Sequence, residues 1–232
     1  MSEATLANQT TAANPTSLRE KLLNIFVSPG EVFDEVVAAP PTMRNWRVPT
    51  LLVCLAGIIL LRMTMTTAQS DTIRQLASAA TFSQEQMETL SGVWPLVSSL
   101  SVCLAAFIGT FWSAFVLWFI GRVFLKVRFS YLKTLEVVGL TGILLVLGAI
   151  VTSLLIASSG NAAARPSLSL LAAKLSAGPM RQVLDTLNIF HLWTTTVLAV
   201  GLSKLSGVSF KEAAFWVFGY WLFIRIALII LS

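Results

Sequence analysis

The chain has 232 residues, 56% hydrophobic and only 12% charged, with 14 Phe and 7 Trp. Soluble domains carry about a quarter charged residues, so a water-soluble enzyme is excluded and the apolar surplus must face lipid. The formal charge of +5 comes from short basic clusters between apolar runs, the pattern of membrane-flanking residues and not of a nucleic-acid surface.

Residues 1–16 are rich in Ser, Thr, Asn and Ala without apolar periodicity. They read as a disordered tail, and no cleavable signal peptide is expected. Between Ser17 and Val27, Leu18, Leu22, Ile25 and Phe26 recur at helical spacing, which predicts a short amphipathic helix. Ser28-Pro29-Gly30-Glu31 then supplies an N-cap, a first-turn proline and an acidic residue. The helix it starts carries Val32, Phe33, Val36 and Val37 on one face and ends at Ala39-Pro40-Pro41. Residues 17–47 are therefore expected to be amphipathic helices on the cytoplasmic side, packed on the membrane domain or lying on headgroups.

Five apolar segments follow, and a span needs about 20 residues. They fall near 48–68, 94–120, 136–157, 186–206 and 213–231. The expected fold is an all-α integral membrane protein of five transmembrane helices with a cytoplasmic N-terminal amphipathic segment. The tail and the loops after spans two and four hold ten basic residues, Arg19, Lys21, Arg44, Arg47, Arg122, Lys126, Arg128, Lys133, Lys204 and Lys211. The other side holds five, Arg62, Arg74, Arg165, Lys174 and Arg181. That bias predicts a cytoplasmic N-terminus and an external C-terminus. In the loops, Ser83-Gln84-Glu85-Gln86 reads as a capping box opening a short polar helix through Leu90, and an interfacial helix is expected at 168–175.

The motifs speak against catalysis. Cys54 and Cys103 lie in separate spans and read as packing residues. One histidine, no H-E-x-x-H, no paired intramembrane aspartates and no phosphate-binding loop leave no recognisable metal, protease or nucleotide site. No cofactor is expected. Ionisable residues at membrane depth are costly, so Arg62, Glu136, Asp185, His191 and Arg225 are candidate intramembrane sites. The plainer readings are that Arg62 and Arg225 snorkel, that Glu136 and Asp185 suit helix N-termini, and that His191 is a packing residue. A pairing of Asp185 with Arg225 or Arg62 is the sharper expectation. Ala105, Gly109 and Ser113, with Ala199, Ser203 and Gly207, form small-residue stripes suited to packing within the bundle or to a homo-oligomer.

Ser28-Pro29-Gly30-Glu31-Val32-Phe33, Pro40 and Trp46-Arg47-Val48-Pro49 resemble segments of the Yip family. Phe129-Ser130-Tyr131-Leu132-Lys133 looks like that family's short cytoplasmic loop. Asn188-Ile189-Phe190-His191-Leu192-Trp193 and Gly207-Val208-Ser209-Phe210-Lys211-Glu212-Ala213 are similar to its final hairpin. The resemblance runs from about Ser28 to the end. It implies five spans, a cytoplasmic N-terminus and a role in membrane trafficking or organisation, through Rab GTPases in eukaryotic members. The long tail with acidic-aromatic motifs of those members is missing, which puts Rab binding in doubt and points to a bacterial-type member in the inner membrane. The resembling segments make Pro29, Glu31, Phe33, Trp46, Phe129, Lys133, Phe210 and Lys211 the candidate cytoplasmic interaction residues. The expectation is a non-enzymatic scaffold that organises the bilayer or binds a membrane or peripheral protein; the alternative is a small transporter or channel.

Overall fold

The computed structural model describes residues 16–79, 84–170, 183–184 and 187–231, which are helical with short connections. Helix α1, Leu18–Asn24, opens on Ser17, whose hydroxyl accepts from the Glu20 amide while the Glu20 carboxylate accepts from the Ser17 amide. This reciprocal cap satisfies two of the orphan donors of a helix start. Helix α2, Pro29–Ala38, takes its proline at the first position, where the missing N–H costs nothing. Ser28 holds the N-cap position of α2 as expected but makes no side-chain cap hydrogen bond there; the capping box belongs to α1. Ala39, extended at φ −80° and ψ 160°, ends α2 because the residue before a proline is pushed out of helical space.

Helix α3, Arg44–Ala79, and helix α4, Gln84–Phe119, each run 36 residues, beyond the expected span limits. No separate polar helix ends at Leu90: its residues are the first turns of α4, and Ser83 lies outside the described residues. Pro49 lies inside α3 and cannot donate to Asn45 O. Gly139 lies against that carbonyl, and a Cβ on it would sit 2.9 Å from Asn45 O and 2.3 Å from Trp46 Cα. Helix α4 ends in a π turn, Ile120–Phe124, over which the Phe129 ring closes onto Gly121.

Helix α5, Tyr131–Thr141, and helix α6, Ile143–Ser159, meet at Gly142 and form one apolar stretch of 29 residues. Every residue of α5 from Lys133 to Thr141 is buried, as a helix enclosed by neighbours must be. It is enclosed by α2, α3, α4 and helix α7, Ile189–Ser206. Leu135 and Val138 face a core with Trp46, Leu117 and Leu202, while Val137, Leu140 and Leu144 face a second core with Ile25, Phe33 and Val36. Val37, expected on the buried face of α2, is 40% exposed. Helix α7 ends at Gly207, left-handed at φ 73°, and helix α8, Phe210–Leu231, completes the bundle. Of the expected 168–175 helix only a 3-10 turn, Leu168–Leu170, is described.

Among the described residues four helices are long and apolar enough to cross a membrane, over Arg44–Met65, Gly92–Phe124, Tyr131–Ser159 and Phe210–Ile230. The expected fourth span is helical as α7 but is not among them, since His191, three threonines and Lys204 fall within its 18 residues. The outward faces of the long helices are apolar, with Leu55, Leu100, Leu104, Phe223 and Ile230 all more than half exposed, as contact with lipid requires. Ala105 and Gly109 share this outward face, and no atom lies within 4 Å of a Cβ placed on Gly109. The close approaches inside the bundle fall instead at Gly139 and at Gly201, which meets Val137 and Phe33.

Candidate functional site

Two polar sites stand out, one at each end of the bundle. The first is where the N-terminal helices dock. Lys133 Nζ donates to Val36 O and Ala39 O, carbonyls at the α2 C-terminus that lack partners within their helix. Its positive charge also meets the negative end of the α2 dipole. Glu136, 1% exposed, accepts from Thr42 N at 2.9 Å and from Asn45 Nδ2 at 2.6 Å, with Lys133 Nζ 3.6 Å away. One i, i+3 pair on the buried α5 thus gathers the end of α2, the turn after it and the start of α3. Glu136 lies in the second turn of α5 and not at its N-terminus, which corrects the expected dipole role. Its carboxylate is retained by hydrogen bonds, as a buried charge must be.

Two further ion pairs hold the docked helices. Lys21, itself buried, meets Glu35 at 3.0 Å, and Lys204 at the end of α7 meets Asp34 at 2.5 Å. Burial pushes the Glu35 carboxyl up, but hydrogen bonds from Thr16 and Lys21 and the Lys21 charge outweigh it and hold Glu35 below its ordinary 4.5. The amide and hydroxyl of Ser17 hold Glu20 down likewise. Both groups bind protons less readily folded than unfolded, so their stabilisation is present above the ordinary value and lost as pH falls through the folded one. A spin label on exposed Leu23 is therefore expected to stay immobile from neutral pH to about 4.5 and to gain mobility below it. Loosening on raising the pH would contradict this arrangement.

The candidate cytoplasmic residues divide into buried and open ones. Phe33 is fully buried and Trp46 is 8% exposed, edge-on to Phe111 at 5.3 Å. Phe129 is half-buried over Gly121 and packs against both cores. Pro29 starts α2, while Glu31, Phe210 and Lys211 are exposed. Phe33, Trp46, Phe129 and Lys133 thus hold the fold together, leaving Glu31, Phe210 and Lys211 open to a partner.

The second site lies between α4, α7 and α8. Arg225 NH2 stands 3.1 Å from His191 Nδ1, and its guanidinium lies 5.8 Å from the Trp221 ring. Arginine can only donate, so Nδ1 accepts and the imidazole proton sits on Nε2. These three side chains line a cavity of about 310 Å³ with Ser113, Thr194, Thr195 and Tyr220. Trp221 Nε1 is buried without a hydrogen-bond partner among the described residues. Trp221 was missed in the sequence, although it stands one helical turn before Arg225. Asp185 lies outside the described residues, so its expected pairing is not seen. Arg62 donates to Pro95 O and Ser99 Oγ on α4, both at 3.1 Å.

The sequence model of the Yip1 domain matches residues 23–232, from the last turn of α1 through the docked α2 and every span. The chain belongs to the Yip1 domain family. It is 26% identical over 195 residues to "Membrane protein YknW" of Bacillus subtilis (strain 168), covering 83% of this chain and 81% of that one. No solved structure matches it. This Yip1-domain chain is a multi-pass membrane protein, and the match takes in the docking site and the α4, α7 and α8 cavity alike.

Proposed function

We propose that the chain is a non-enzymatic, five-span scaffold of a bacterial inner membrane that organises the bilayer surface through its rigidly held N-terminal helices. The N-terminus is cytoplasmic and the C-terminus external, in keeping with the ten-to-five basic bias. The fifth crossing is α7. Its first residues neighbour Ser167 and Gly148, and its last turn reaches Asp34 on α2. It therefore returns from beside the body of α6 to the docking end, and its 18 residues cover about 27 Å, close to the ~30 Å of a hydrocarbon core.

The observation that carries the scaffold reading is an apolar groove of about 480 Å³ shared by α1 and the span α6. Leu18, Leu22 and Phe26 line one side, Ile143, Leu147 and Ile150 the other, with Arg19 also in the lining. An amphipathic helix sharing apolar surface with a lipid-facing span lies at the depth of the headgroups. Leu23 and Val27, 58% and 87% exposed, then have lipid as their solvent. Because Lys21, Lys133 and Lys204 fasten α1 and α2 to the bundle, that wedge cannot swing free.

The test is reconstitution of the full chain in vesicles of equal parts phosphatidylglycerol and phosphatidylcholine, imaged by cryo-electron microscopy. Wild-type protein is expected to narrow the vesicles in proportion to its density. The Leu23→Glu/Val27→Glu double variant, altered only at exposed positions, is expected to fold and to lose that effect. Vesicles unchanged by the wild type, or narrowed equally by the variant, would rule the reading out.

A further inference from the structure

The cavity between α4, α7 and α8 is unlike the docking site in one respect: its polar groups are donors in search of an acceptor. Arg225 lies in a candidate span, where an arginine is costly and is ordinarily paired or carried to the surface. No carboxylate pairs with it among the described residues; its hydrogen-bonding contact is the neutral His191. A guanidinium has five N–H groups, and His191 Nδ1 occupies only the one edge. Trp221 Nε1 is buried with no partner among the described residues, which ordinarily costs the full desolvation of the group. With His191 Nε2–H this makes three donor side chains and one net positive charge at a single cavity. The hydroxyls of Thr194 and Thr195 donate to carbonyls of their own helix, so they add no competing donor. The remaining lining is apolar, including Leu117, Leu198, Val217 and Ile224.

We propose that this cavity binds the phosphodiester headgroup of an anionic membrane phospholipid, with Arg225 as its counter-ion and Trp221 Nε1 and His191 Nε2 as hydrogen-bond donors. A guanidinium fork matches two oxygens of a phosphate, and the imidazole holds that fork in place. No acidic side chain lines the cavity among the described residues, so a choline or ethanolamine cation finds no counter-ion there, and the Trp221 ring is already faced by the Arg225 guanidinium; an anionic headgroup is preferred over a zwitterionic one. About 310 Å³ admits a headgroup and the start of its chains but not a whole lipid. The chains are left on the outward flank of α8, where Leu222, Phe223 and Ile226 are exposed. The site shares no lining residue with the α1 groove and does not depend on the scaffold reading.

The test uses the full chain purified in a mild detergent and stripped of lipid. Thermal stability is followed against dihexanoyl phosphatidylglycerol, dihexanoyl phosphatidylcholine and inorganic phosphate, each below any micelle concentration. Saturable stabilisation by phosphatidylglycerol is expected, with the other two at least about tenfold weaker. Arg225→Gln is expected to weaken phosphatidylglycerol at least about tenfold, the scale of one charged hydrogen-bonded contact. Trp221→Phe, which removes the indole N–H and keeps an aromatic ring, is expected to weaken it several-fold and carries the test should Arg225→Gln not fold. Arg47→Gln, at the far end, is expected to bind as wild type. Equal stabilisation by phosphatidylcholine or by free phosphate would overturn the proposal, as would undiminished binding in both cavity variants. Binding that emerges only in Asp185→Asn would assign the guanidinium to an internal carboxylate and overturn it too.

Discussion

Replacing Lys133 by methionine is expected to lower the unfolding free energy by about 3–5 kcal/mol, the usual cost of removing one partner from a buried charge pair. Lys133 has three duties that methionine cannot take over. Its amine satisfies Val36 O and Ala39 O, and it supplies the cation 3.6 Å from the Glu136 carboxylate. Methionine preserves most of the apolar stem, so the loss is one of charge and hydrogen bonding and not of packing. The Lys133→Met/Glu136→Gln double variant should recover part of the loss, because no unpaired charge is then buried. Denaturant unfolding in detergent across the full cycle is expected to show coupling of about 0.5–3 kcal/mol. Additivity within about 0.3–0.5 kcal/mol would mean the two side chains act separately. Tryptic cleavage after exposed Arg44, next to the turn that Glu136 holds, should quicken in the single variant and not in Arg128→Gln, an exposed basic residue in the loop before α5.

The same two residues mark where the sequence stops being legible. Spacing of apolar residues shows that α1 and α2 are amphipathic and that long stretches must meet lipid, because those signals are local. Lys133 and Glu136 carry only the local signal of a membrane edge. What makes them a hub is Thr42 and Asn45, 94 and 91 residues away from Glu136, and no periodicity encodes that meeting. The four-residue cap offers a milder case: Ser17-Leu18-Arg19-Glu20 carries the S-x-x-E pattern in plain view, at the start of the helix that the apolar spacing predicts. At the other end, His191 and Arg225 are each conspicuous as costly intramembrane residues, while their 3.1 Å contact joins two helices. Trp221 is silent in the sequence because tryptophan is common in membrane helices; its unsatisfied N–H exists only in three dimensions.

A methyl group on Gly139 should separate backbone packing from helix propensity. In an ordinary helical site Gly→Ala stabilises by roughly 0.5–1 kcal/mol, since glycine gives up more backbone freedom on folding. Gly109 is such a site, for a Cβ there meets nothing within 4 Å, and Gly109→Ala is expected to raise stability by about that amount. At Gly139 the added carbon would stand 2.3 Å from Trp46 Cα, 2.5 Å from Trp46 Cβ and 2.9 Å from Asn45 O. Two of those three atoms are backbone, so no rotamer change makes room and α3 and α5 must part. Parting them strains the turn that Glu136 holds through Thr42 and Asn45, and it opens the contact between Trp46 and Phe111. Gly139→Ala is expected to destabilise by about 1–3 kcal/mol or more, the cost of overpacking a filled core, with the sign opposite to Gly109→Ala. Gly201→Ala should fall between them: the atom it meets at 2.3 Å belongs to the side chain of Val137 and not to backbone, but Val137 is fully buried and stiff at χ1. The three variants, unfolded side by side in one detergent, test whether Pro49 and Gly139 together set the distance between α3 and α5. A stabilised Gly139→Ala would show that the two backbones are not in contact at all.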